Sequence, residues 1–204
     1  GAGIPAMDRL GYLAEAAMAQ LDGVKHLIVA GTGAPVSFFA YPGKPSSLVP
    51  EGTQVHTLAS LGTDVVAALE QLADAVAPGT EPRPAPATTT ELPTGDLTVQ
   101  NWVQVIAALL PENAIISDES NTSGLMLPAA TAGCPRHDVL TLTGGAIGQG
   151  LPVSTGAAVA APDRPVIALQ ADGSAAYTIS ALWTMARENL NVTVVLINNH
   201  AYAI

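Results

Sequence analysis

The sequence predicts an α/β protein built of two partial three-layer domains with mainly parallel sheets. Three observations carry that expectation. Short β-branched, apolar runs without alternation, such as Val166 to Leu169 and Val192 to Ile197, suit parallel strands covered on both faces. Between those two runs Ile179, Leu182, Trp183 and Ala186 recur at i, i+3, i+4 and i+7, one face of a crossover helix. Finally, Pro78, Pro82, Pro84, Pro86 and Pro93 interrupt the chain where neither helix nor sheet interior tolerates them.

Taken in order, a helix is expected from about Asp8 to Leu21, then a buried strand over His26 to Ala30. Gly31-Thr32-Gly33-Ala34-Pro35 follows it, but the third glycine of a dinucleotide fingerprint is absent and Pro35 removes an N–H, so this reads as an ordinary loop. Phe38, Phe39 and Tyr41 suit loop anchoring or an interface. Gln54 to Leu58 is a second strand, and Asp64 to Val76 a helix entered through a Thr63 or Asp64 cap. Two strands and two helices enclose little core, so residues 1–77 read as the end of a larger domain. Residues 78–95 are the expected linker and 96–204 the start of a second domain.

In that second part Thr98 to Leu110 suits a capped helix and Ala114 to Ser117 a strand, which ends in Asp118-Glu119-Ser120-Asn121-Thr122. A polar cluster there is either a ligand-side feature or a helix cap. Val139 to Thr143 is a strand leading into Gly144-Gly145-Ala146-Ile147-Gly148-Gln149-Gly150, which opens a helix through Ala160. Four glycines in seven residues let backbone approach a ligand or another helix closely. The closing strand, helix and strand form a βαβ unit whose right-handed connection brings Asp172 and Asn198-Asn199 to one carboxyl edge.

Composition excludes other classes. With seven Lys and Arg against 17 Asp and Glu, and a net charge of −10, the chain lacks the electrostatic footprint of a nucleic-acid binder. No apolar stretch approaches the ~20 residues of a membrane span. One cysteine, Cys134, excludes an internal disulfide and fits a reducing compartment, so the cytoplasm is the expected location.

At the shared edge stand one carboxylate, two carboxamides and the N–H groups of Gly173 and Ser174. Hard divalent cations take oxygen ligands, and magnesium keeps one or two carboxylates beside phosphate and water. Helix starts attract the same phosphate. The bland alternative is a helix cap at Asp172 and a turn at the asparagines. Asp172-Gly173-Ser174 with Asn198-Asn199, the aspartate and second asparagine 27 positions apart, resembles the cofactor motif of thiamine diphosphate (ThDP) enzymes. Glu119-Ser120-Asn121-Thr122 and Gly144-Gly145-Ala146-Ile147-Gly148 stand at the spacings of the pyruvate-oxidase-like group, nearest to acetolactate synthase large subunits and benzoylformate decarboxylase. Ala171 replaces the glycine usual before the aspartate, and Ser37 to Lys44 has no match to a histidine of the decarboxylase.

The resemblance implies ThDP and Mg2+ as cofactors. The metal would be held by Asp172, Asn199 and the carbonyl of Ala201, and the diphosphate by Asn121, Thr122, Gly173 and Ser174. Gly145 would accept a hydrogen bond from the aminopyrimidine, and Ile147 would prop the cofactor's bend. It further implies a 2-oxo acid substrate and a homo-oligomeric parent, dimer or tetramer, that makes or breaks a carbon–carbon bond beside a carbonyl. The chain would then be a fragment, inactive alone, because the glutamate that activates the cofactor belongs to an N-terminal domain not present here. A non-catalytic ThDP-fold homologue or partner-binding subunit is the alternative.

Overall fold

The structure is a computed structural model and describes residues 1–4 and 7–200. They divide into two compact units, Met7–Pro82 and the described residues of Gly1–Ala6 with Arg83–Ile204. The boundary falls inside the proline-rich stretch. Its later part lies on the second unit, where Thr88 donates its N–H to the Gly133 carbonyl at 2.9 Å and Gly3 donates to Ala85 at 2.9 Å.

In Met7–Pro82, β1 (His26–Ala30) pairs in parallel with β2 (Gln54–Ala59). Helix α1 (Ala14–Gln20) is shorter than its periodicity suggests. Gly11 is a poor helix residue, and the Gln20 amide instead holds the preceding segment by accepting the Gly11 N–H at 3.0 Å and donating to the Arg9 carbonyl at 3.2 Å. Helix α2 (Val65–Val76) starts as expected, with Asp64 accepting the Ala67 N–H at 3.0 Å. Buried Ala14, Ala17 and Leu48, with Leu21 and Tyr41 against them, make a small core.

The other unit begins with α3 (Trp102–Leu109), β3 (Ala114–Glu119), a 3-10 turn (Asn121–Gly124), α4 (Leu127–Ala130) and β4 (His137–Thr141). It continues with α5 (Gly150–Ala160), β5 (Val166–Ala171), the short α6 (Asp172–Ala175), α7 (Ser180–Arg187) and β6 (Val192–Ile197). Among the described residues the sheet has the order β4-β3-β5-β6, all neighbours parallel. Both faces of the central strands β3 and β5 are covered, as their unalternating runs predict, while β4 and β6 are more exposed. Ile116 and Leu169 pack against Trp102, Val103, Ala107 and Leu127 of α3 and α4. On the other face Ala168 meets Leu151 of α5 and Met185 of α7, and Ile115 and Val166 meet Ala158.

Four differences from the sequence reading have physical causes. Helix α3 starts at Trp102 and not Thr98, because Thr98 and Asn101 bond each other's N–H groups in a preceding turn, at 2.7 and 3.2 Å. Strands β3 and β5 run two residues further than their apolar runs, since parallel pairing continues through Asp118↔Leu169 and Glu119↔Gln170. Strand β4 stops at Thr141, beyond which the Gln149 side chain donates to the Thr141 carbonyl and accepts the Thr143 N–H. On α7 the packed residues are Ala181 and Met185. The predicted stripe is turned outward, with Ile179, Leu182 and Trp183 exposed and the Arg187 guanidinium 4.6 Å from the Trp183 ring centre. Periodicity establishes a helix; which side faces the sheet depends on what the sheet offers.

Candidate functional site

Chain order fixes where a ligand can sit. From β3 the chain moves outward to β4, and from β5 it moves the other way to β6, so the direction reverses between β3 and β5. Crevices open at the carboxyl ends of strands at such a reversal. Every expected site residue among those described lies on a segment leaving that edge: Asn121 and Thr122 after β3, Gly145 and Ile147 after β4, Asp172, Gly173 and Ser174 after β5, Asn199 after β6.

Asp172 and the asparagines follow register partners, for Ala171 stands opposite Ile197 in the β5–β6 ladder. Asn198 Oδ1 accepts the His200 N–H at 2.9 Å, closing a short turn at the strand's end in which His200 has φ 55°. Asn199, exposed, occupies the apex of this turn. The proposed carbonyl ligand Ala201 lies outside the described residues. Ser174 differs from its implied role. Its hydroxyl is buried, donating to the Ala171 carbonyl at 3.0 Å and accepting from Gln170 Nε2 at 2.6 Å, because the first turn of α6 folds it back under the sheet edge.

The glycine loop is tightly wound. Gly144, Gly145 and Gly148 have φ of 60°, 68° and 88°, the region that favours glycine. The Ile147 N–H bonds the Gly145 carbonyl at 2.9 Å, leaving that oxygen a second lone pair. Ile147 is half-buried and Gly145 exposed. Thr178 donates to the Gly148 carbonyl at 2.7 Å, and a side chain at Gly148 would collide with Tyr177 Cβ at 2.6 Å. Asn121 also takes a left-handed conformation, φ 53°, opening the turn after β3.

Two polar residues lie beneath the edge: Glu119, which the sequence reading placed in the edge cluster, and Gln170, which it passed over. Glu119, 1% exposed, accepts the N–H groups of Gly148 and Gly150, the latter at 2.6 Å. Gln170, 0% exposed, donates to Glu119 at 3.0 Å. Glu119 is thus neither a helix cap nor a ligand-facing group. The two-residue period was the available signal: Ser117 and Glu119 on β3 and Ala168 and Gln170 on β5 share the face that α5 covers.

The donor set suits the implied ion. Among the described residues no three His, Cys, Asp or Glu side chains gather for a metal. One carboxylate and a carboxamide on neighbouring strand ends suit a hard cation that completes its shell with phosphate and water.

Comparison with known proteins bears on the same segment. Residues 126–204 match the family described as thiamine pyrophosphate enzyme, C-terminal TPP binding domain. This stretch of the chain is similar to the cofactor-binding domain of the thiamine pyrophosphate enzymes. The whole chain is 64% identical over 204 residues to a Mycobacterium tuberculosis protein provisionally named acetolactate synthase large subunit IlvX, of which it spans 39%. Over 107 residues, half of this chain and 18% of the relative, it is 37% identical to an alpha-keto-acid decarboxylase of Mycobacterium avium. A solved structure, the thiamine diphosphate-dependent 4-hydroxybenzoylformate decarboxylase of Rhodococcus jostii RHA1, superposes with a TM-score of 0.72 at 26% identity, covering 95% of this chain and 39% of that one. The chain therefore spans well under half the length of these relatives. No helix among the described residues is long and apolar enough to cross a membrane.

Proposed function

We propose that this chain supplies the diphosphate- and metal-holding part of a ThDP- and Mg2+-dependent enzyme, acetolactate-synthase-like, that makes or breaks the carbon–carbon bond beside the carbonyl of a 2-oxo acid. The observation that carries the reading is the placing of Asp172 and Asn199 just beyond register partners on adjacent parallel strands at the topological reversal. Bound ThDP would supply the electron sink that a 2-oxo acid needs for such chemistry.

The chain's own residues bind and orient. Asp172 contributes the single carboxylate and Asn199 a neutral oxygen to the cation, which in turn offsets diphosphate charge. Asn121, Thr122 and the N–H groups of Gly173 and Ser174 supply donors along the same edge; at Ser174 the backbone takes the role, its hydroxyl being engaged inside. Ile147, on the glycine loop after β4, would set the shape of the cofactor's resting place, while the Gly145 carbonyl offers an acceptor. The acid that activates the cofactor comes from another domain, in a homo-oligomer from the neighbouring subunit, so the 204-residue chain binds without turning over.

Titration calorimetry of this chain with ThDP tests the reading. Binding is expected with Mg2+, and its loss in EDTA or in Asp172→Ala. Equal affinity in all three conditions would refute the site. Pyruvate consumption by the product of the complete reading frame then separates catalysis, with acetolactate or aldehyde formed, from a non-catalytic homologue that binds ThDP and forms neither.

A further inference from the structure

Glu119 is the one ionisable carboxylate, and the one charged side chain, fully buried among the described residues. No Lys or Arg accompanies it there. A lone buried carboxylate is costly unless hydrogen bonds compensate it, and here three donors converge. Oε1 accepts from Gly148 N–H; Oε2 accepts from Gly150 N–H at 2.6 Å and from Gln170 Nε2 at 3.0 Å. The same Gln170 nitrogen donates to Ser174 Oγ at 2.6 Å, which donates onward to the Ala171 carbonyl at 3.0 Å.

This connected path crosses the sheet where the chain direction reverses, and Glu119 and Gln170 are direct register partners. One end grips the glycine loop and the other the turn holding Asp172. The packing leaves no slack. A Cβ at Gly150 would stand 2.5 Å from Gln170 Oε1 and 2.7 Å from Glu119 Oε2, and Ser117 fixes the Gly150 carbonyl from below at 3.0 Å. The chemistry also selects an acidic residue. Gly148, at φ 88°, precedes α5 and Gly150 opens it, so neither N–H has a helical partner. A carboxylate offers each an oxygen, whereas a carboxamide would press its NH2 against one of them.

We infer that Glu119 is a positioning residue: through Gln170 it ties the loop presenting Gly145 and Ile147 to the Asp172-Gly173-Ser174 turn, so that the two sides of the cofactor site are held as one body. Only the cofactor arm of the test rests on the proposed function.

Amide exchange and chemical shifts of this chain, read by NMR without cofactor, test the tie directly. In the wild type the Gly148 and Gly150 amides should be protected and shifted downfield. Glu119→Gln should lower protection of at least one of them about tenfold or more, as loss of a charge-assisted bond implies, while amides of the β5–β6 ladder keep theirs. Gln170→Leu should leave both glycines protected and change the shifts of Gly173 and Ser174. Unprotected glycines in the wild type would overturn the inference even if the variants fail to fold. So would a Glu119→Gln effect spread evenly over all strands, which marks a merely structural role. In the cofactor arm, ThDP affinity with Mg2+ should fall about tenfold in Glu119→Gln, and unchanged affinity despite a loosened loop would break the link to the site. Should the wild type not bind ThDP, the proposed function fails and the glycine amides alone decide for or against the tie.

Discussion

At the residue scale, the proposed site separates into positions offered to the ligand and positions that shape those. Ile147 is proposed for the first: it is half-buried, on a loop with glycines at positive φ. In the complete enzyme, Ile147→Ala should reduce kcat more than it weakens ThDP binding, because the anchor at Asp172 and Asn199 remains while reactive geometry loosens. Steady-state kinetics beside calorimetry would check this, and equal kcat in both proteins would make Ile147 ordinary packing. Gly150 belongs with the second. Gly150→Ala adds a methyl against Glu119 and Gln170, an overpacking that should cost about 1–3 kcal/mol in urea unfolding.

At the element scale, the central strands and crossovers were legible because parallel strands buried on both faces leave unbroken apolar runs, as in Val166 to Leu169 of β5. What resisted reading was where these runs end. Asp118, Glu119 and Gln170 read as loop by polarity, yet the ladder carries them because each is bonded within the interior. The positions of Asp172 and Asn199 were legible from spacing; the pairing of Glu119 with the glycine loop was not, since 29 residues separate Glu119 from Gly148 and only the fold closes that distance. The face of α7 was misjudged because Ile179, Leu182, Trp183 and Ala186 form an apolar stripe on the side opposite the one that Ala181 and Met185 turn to the sheet. Of the expected caps, Asp64 opens its helix as read, whereas Thr98 closes a turn ahead of α3. Asp64→Ala, which removes the bond to the Ala67 N–H, should destabilise Met7–Pro82 by about 1 kcal/mol, measurable as a lower denaturant midpoint.

At the scale of the whole molecule, the two units differ in how much they bury. Met7–Pro82 holds a two-stranded sheet and a core of mainly small residues, whereas the other unit encloses Ile116, Leu127, Leu151 and Leu169 between helices. Small cores are marginal, and weakly packed regions open first. Limited proteolysis should therefore degrade Met7–Pro82 early and leave a protected product starting near Arg83. Mass spectrometry would identify it; simultaneous loss of both units would contradict the division.

Cys134 has a use that its chemistry makes possible. The residue is 1% exposed, with its S–H directed at the Ala107 carbonyl at 3.3 Å, and burial pushes the thiol above its ordinary 9.0. The raised value favours the protonated form in the fold, so its contribution to stability is present below pH 9 and wanes above it, as the unfolded thiol ionises first. Only a thiolate reacts quickly with a disulfide reagent, and it must be uncovered to do so. Being the sole cysteine in the chain, it is a built-in stopwatch: the labelling rate, divided by that of the denatured protein, times the transient parting of α3 from α4, with no probe introduced.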